Sequence, residues 1–181
     1  MSIPNLITLA RILLVPVVVW AIAAGAMHLA FLLFLVAAIS DGVDGFLAKR
    51  FDMRTDLGAY LDPLADKVMI VSIYVTLAST GVIPLWIVIL VVSRDIMIVG
   101  GIMLSWIIGN PIAIRPHIVS KVNTAAQIIY ACLVLALYGY GFNAEPLLTL
   151  VMVLVAVLTL LSVGLYLAEW VRHMNSAEAG R

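Results

Sequence analysis

The sequence predicts an all-helical membrane protein, a bundle of six transmembrane helices. Three observations lead there. Of the 181 residues, 65% are hydrophobic and 11% charged, against roughly half and a quarter in soluble domains. The apolar residues fall into six runs, each close to the ~20 residues a helix needs to cross a bilayer. Lysine and arginine are present in alternate connections and absent from the others, the pattern that cytoplasmic loops leave in membrane proteins. A water-soluble core this small could not bury so much apolar surface, so lipid is the solvent for most of it.

The first span is expected at 7–25. Residues 12–24 could pass for the apolar part of a secretory signal, followed by small residues between Ala21 and Ala26. Nothing basic precedes Arg11, however, and apolar segments continue along the chain, so this run is read as a span. Gly25 to His28 turns the chain into a second span at 29–48. Lys49, Arg50 and Arg54 fill the connection 49–57, and a third span follows at 60–80. Gly81 to Pro84 is a tight turn before the fourth, at 83–108. Asn110, Pro111 and Pro116 mark a longer loop with Arg115, and Lys121 opens the fifth span at 120–140. Gly139 to Pro146 leads to the sixth at 147–171, and Arg172 and Arg181 follow it. The turns at 25–28, 81–83 and 140–146 hold no Lys or Arg. Six spans with both termini in the cytoplasm satisfy this distribution, whereas an odd number would break the alternation. Residues 1–173 are expected to form one membrane domain without internal repeats, and 174–181 a short disordered cytoplasmic tail.

Composition also excludes. A formal net charge of zero argues against a nucleic-acid partner. Cys132, the single cysteine, rules out an internal disulfide and a cysteine zinc site. His28, His117 and His173 are too scattered to suggest a metal site.

Charged side chains within membrane segments are costly and usually functional, and here the acidic ones concentrate. Asp41 and Asp44 are three residues apart on the second helix, and Asp62 and Asp66 are four apart on the third, so each pair shares a face. A short connection makes the two helices antiparallel neighbours, bringing the pairs together just inside the cytoplasmic interface. Carboxylates so close repel one another and call for counter-charge. Two divalent cations supply it, and an oxygen-only donor set favours Mg²⁺ or Mn²⁺. Such ions commonly accompany a phosphate substrate and can clamp the attacking and leaving oxygens at phosphorus. Gly45 and Gly58 lack side chains where a ligand would lie against backbone. Pro63 is expected in the first turn of its helix, where a missing N–H costs little. The alternative is ordinary solvated helix ends, paired with Lys49, Arg50 and Lys67.

Together Asp41, Asp44, Gly45, Ala48, Lys49, Gly58, Asp62 and Asp66 resemble the signature of the CDP-alcohol phosphatidyltransferases, Asp-x2-Asp-Gly-x2-Ala-Arg-x8-Gly-x3-Asp-x3-Asp. Every spacing is kept. Lys49 replaces the usual arginine, keeping the charge without the planar fork, and Arg50 follows it. The resemblance implies a bacterial inner-membrane homodimer that transfers a phosphatidyl group from CDP-diacylglycerol to an alcohol and releases CMP. It implies that Asp41, Asp44 and Asp62 ligate the metals and that Asp66 is the general base, itself also placed against metal. Gly45, Ala48, Lys49 and Gly58 would line the CDP-lipid site. An Asn-x2-Thr-x2-Arg pattern shared with related enzymes appears as Asn5, Thr8 and Arg11, expected near the nucleotide; the alternative is a helix start with a snorkelling arginine.

For the acceptor, Arg94, Arg115 and Lys121 are the candidate cations near the cytoplasmic side. Arg94 with Asp95 has helix packing as its alternative reading. The segments Ser93-Arg94-Asp95 and Ser120 to Gln127 are similar to cardiolipin synthases of the eukaryotic type. Phosphatidylglycerophosphate synthases often carry a second lysine where this chain has Asn123. One cation fewer suits the monoanionic diester phosphatidylglycerol better than the dianionic glycerol 3-phosphate. A divalent-cation transporter would also need membrane carboxylates, but its site is expected near the midplane within a repeat. Gly100, Gly101 and Ser105 offer small residues for helix contact in a dimer.

Overall fold

The computed structural model describes the backbone of residues 3–50, 56–107 and 118–179 and the side chains of 6–43, 64–101, 103, 107 and 118–172. Six helices make up the described residues: α1 Ile3–Ala23, α2 Met27–Arg50, α3 Asp56–Ser79, α4 Leu85–Ile107, α5 Ile118–Tyr140 and α6 Glu145–Ala179. No strand occurs among them. Three contain stretches long and apolar enough to cross a membrane, Leu6–Ala23, Ile118–Tyr140 and Glu145–Arg172, and Met27–Val43 is a shorter apolar run.

Three turns share one construction. Gly25, Gly81 and Gly141 adopt φ of 75°, 78° and 71°, a left-handed conformation that glycine reaches without steric cost. After each, the chain bonds back to the helix end: Ala26 N–H to Ala21 C=O at 2.8 Å, Val82 to Leu77 at 2.9 Å and Phe142 to Leu137 at 2.9 Å. These are the six-to-one bonds of the Schellman motif. They occupy the three connections that hold no Lys or Arg.

Two expected boundaries move. α3 begins at Asp56, so Pro63 lies two turns inside the helix and not in its first turn; lacking an N–H, it cannot donate to the Ala59 C=O in the helical ladder. α6 runs on to Ala179, past the expected start of a disordered tail at 174. Ser-Ala-Glu-Ala contains good helix formers, and extending an existing helix avoids the cost of nucleating one.

The chain divides into two compact units. One comprises residues 1–85 and 131–145, the other 86–130 and 146–181. In the first, α1 packs against both α2 and α3. Its buried stripe on α1 is Thr8, Arg11, Val15, Val18 and Ile22, stepping by three and four as a helix face must. On α2 the stripe is Ala30, Phe34 and Ala37, and on α3 Ile70, Ile73 and Leu77. Continued by four residues, these two reach Asp41 and Asp66. The close approach of α5 to α2 depends on Gly139. A Cβ there would lie 2.8 Å from the Cα of His28, and the His28 and Tyr140 rings meet edge-on at 4.8 Å. In the second unit the buried faces carry Ile87, Val91 and Arg94 on α4, Asn123, Gln127, Tyr130 on α5, and Val155, Thr159, Ser162 on α6. Leu13, Trp20, Val36, Ile96, Leu150 and Leu160 are all more than half exposed, an outward apolar surface suited to lipid.

Candidate active site

The first unit places an arginine between two of the expected metal ligands. Arg11 Nη1 donates to Asp41 Oδ1 at 2.5 Å and to Asp66 Oδ1 at 2.5 Å. The arginine side chain is 3% exposed, the two carboxylates 43% and 41%. The guanidinium thus reaches the carboxylates from inside, while their other faces stay open. An arginine buried in this way without a counter-charge would be costly. Two charge-assisted bonds offset that.

The two carboxylates come from different helices, yet their oxygens converge on a single cationic nitrogen. Convergent oxygen donors of this kind fit a hard divalent cation. Asp44, Gly45, Ala48 and Lys49 follow Asp41 on α2, and Gly58 and Asp62 precede Asp66 on α3. The side chains of Asp44, Ala48, Lys49 and Asp62 lie outside those described, as does that of Asn5. Thr8 is fully buried one turn from Arg11. Arg11, expected near the nucleotide, lies on Asp41 and Asp66. The signal was present in the spacing, because Arg11 continues the stripe of Val15, Val18 and Ile22 and must face the helices that bury them.

In the second unit Arg94 is likewise 3% exposed. Its Nη1 donates to Asp95 Oδ1 at 2.6 Å, its Nε and Nη2 approach Ser162 Oγ at 3.2 and 3.1 Å, and Nη2 also donates to Ser120 Oγ. The Tyr166 ring lies 6.0 Å from the guanidinium carbon. Arg94 therefore ties α4 to α5 and α6, and the packing alternative for Arg94 and Asp95 describes part of what it does. Lys121 is exposed on α5, next to Ser120, and Arg115 lies outside the described residues. Asn123 is wholly buried and its Oδ1 accepts from Thr159 Oγ1 at 3.0 Å. Its Nδ2 has no partner among the described residues. Beside Arg94 a groove of about 370 Å³ is lined by Met97, Gly101, Tyr166, Leu167 and Trp170.

Residues 1–171 match the family model for CDP-alcohol phosphatidyltransferase. The chain belongs to that family. It is 32% identical, over 75% of its length, to the human protein named cardiolipin synthase (CMP-forming), and spans about half of that protein. It is also 32% identical to the Bacillus subtilis CDP-diacylglycerol–glycerol-3-phosphate 3-phosphatidyltransferase, over 71% of this chain and 73% of the other. A probable phosphatidylglycerophosphate synthase of Mycobacterium tuberculosis is 36% identical over 52% of this chain and 48% of its own. The relatives within the family thus carry two different acceptor names.

Proposed function

We propose that the chain is a multi-pass membrane phosphatidyltransferase that moves the phosphatidyl group of CDP-diacylglycerol to phosphatidylglycerol, giving cardiolipin and CMP. All six helices would cross the bilayer, with both termini and the aspartate site on the cytoplasmic side of a bacterial inner membrane and a homodimer as the assembly. The orientation is supported by the three glycine-capped turns without Lys or Arg and by the basic residues of the intervening connections.

The carrying observation is the convergence of Asp41 and Asp66 in a chain that matches the family along nearly its whole length. Asp41, Asp44, Asp62 and the edge of Asp66 would hold two Mg²⁺ or Mn²⁺ ions, whose charge stabilises the pyrophosphate and the departing CMP. Asp66 takes the proton of the acceptor hydroxyl. The acceptor oxygen then bonds to the phosphatidyl phosphorus as the bond from that phosphorus to the bridging oxygen breaks, and CMP leaves with that oxygen. Gly45, Ala48, Lys49 and Gly58, with Asn5 and Thr8, form the CDP-lipid site.

For the acceptor, Arg94 is the nearest approach to an anion site, assisted by Arg115 and Lys121. Asn123 supports a lipid diester: it is fully buried against Thr159, and it offers a neutral donor where a dianionic phosphate would want a further cation. The groove beside Arg94 has an apolar lining and suits hydrocarbon better than free glycerol 3-phosphate. The relatives named for glycerol 3-phosphate favour the second reading, a phosphatidylglycerophosphate synthase. Purified enzyme with CDP-diacylglycerol and Mg²⁺, offered phosphatidylglycerol and glycerol 3-phosphate separately, decides between them. Cardiolipin from the first supports this reading; efficient conversion of the second with none of the first replaces it.

A further inference from the structure

Asp41 and Asp66 are both held by one nitrogen of a buried arginine. One oxygen of each carboxylate that a divalent cation would use is therefore already engaged by a positive charge. The carboxylates cannot give the same lone pairs to both. A dication within a few ångströms of a guanidinium is also repelled by several kcal/mol, even at the effective dielectric typical of protein sites. Arg11 has little freedom to withdraw into water, because its side chain is 3% exposed and sits on the buried face of α1 above Val15 and Val18.

From this we infer that Arg11 is an internal counter-cation that weakens the binding of a divalent ion in the absence of nucleotide and makes that binding depend on the nucleotide. A site holding Arg11 needs less positive charge than four carboxylates alone. The anionic pyrophosphate of the donor restores the deficit, so ion and CDP-lipid each tighten the other. By linkage the two enhancements must be equal. The consequence for the enzyme is protection: without its donor, the site does not accumulate tightly bound metal. The inference rests on the proposal that this site binds a divalent cation.

The test is Mn²⁺ binding, followed by electron paramagnetic resonance on the purified protein in detergent, with and without CDP. In the wild type, CDP is expected to tighten Mn²⁺ binding by about tenfold or more, the range of ordinary coupling energies. In Arg11→Gln, Mn²⁺ alone should bind at least about tenfold more tightly, and the added effect of CDP should shrink. Arg11→Lys keeps the charge and should stay near the wild-type affinity. Thermal unfolding without metal checks the fold: Arg11→Gln should melt lower than wild type and recover on adding Mn²⁺. Equal or weaker Mn²⁺ binding by Arg11→Gln, or a CDP effect absent from the wild type, overturns the inference while leaving the metal site standing. If no form binds Mn²⁺ with or without CDP, the metal reading itself fails.

Discussion

Arg11 and Arg94 are equally buried, each 3% exposed, and both belong to chain segments rich in apolar residues. Their surroundings differ. Arg11 meets two carboxylates that remain 43% and 41% exposed, so its site is acidic and open. Arg94 meets one carboxylate, Asp95 at 16% exposure, and the hydroxyls of Ser120 and Ser162. Its charge is largely answered within its own unit. Burial of an arginine therefore says little about its task. The exposure of its partners says more: open carboxylates can take up a cation and a proton, whereas a closed pair chiefly fastens helices.

The largest effect is expected at Asp66. Asp66→Asn should lower turnover by about 10²–10⁴-fold, the range for loss of a general base, while metal and CDP-diacylglycerol binding persist. Near-normal turnover of this variant would move the base elsewhere and leave the open site without its assigned chemistry.

Arg94 sharpens the contrast with a smaller effect. Removing Arg94 alone takes from the half-buried Asp95 its cation at 2.6 Å and costs up to about 3–5 kcal/mol, which confuses folding with function. Arg94→Met combined with Asp95→Asn removes both charges. This double variant should fold with stability close to wild type, yet transfer to phosphatidylglycerol about tenfold less well, a loss in the range of one or two charge-assisted hydrogen bonds. The KM for CDP-diacylglycerol should not change. A double variant with wild-type kinetics would make Arg94 purely a fastener of helices.

The smallest effect is expected away from both arginines. Gly139→Ala brings a methyl to 2.8 Å from His28 Cα. Overpacking costs about 1–3 kcal/mol, against about 1 kcal/mol that alanine gains as a helix former. The melting temperature in detergent should fall modestly with activity per folded molecule unchanged. An unaltered or raised melting temperature would show that α5 and α2 can separate freely at this point.

Much of the helix layout could be read from the residues. Glycines followed by apolar or proline residues mark turns because the left-handed cap requires glycine, and Gly25, Gly81 and Gly141 fall where those signals lie. Helix ends were less legible. α3 starts at Asp56 and α6 continues to Ala179, since membrane width sets a minimum length for a helix and not a maximum. At the site, motif spacing placed Asp41 and Asp66 together, and the coordinates join them through Arg11. The spacing of Arg11, Val15, Val18 and Ile22 put Arg11 on the buried face of α1, but which carboxylates it meets was not legible, because contacts between residues thirty and fifty-five positions apart leave no local pattern. The sequence marked Asn123 as one cation fewer near the acceptor, but its complete burial against Thr159 only packing could show.

Whether the open acidic site of the first unit acts through a divalent cation is decided by CMP release from CDP-diacylglycerol and phosphatidylglycerol by the purified protein, first with Mg²⁺ and then after exhaustive chelation with EDTA. Release is expected to stop on chelation and to return when Mg²⁺ or Mn²⁺ is restored. Undiminished CMP release in metal-free buffer would contradict this expectation.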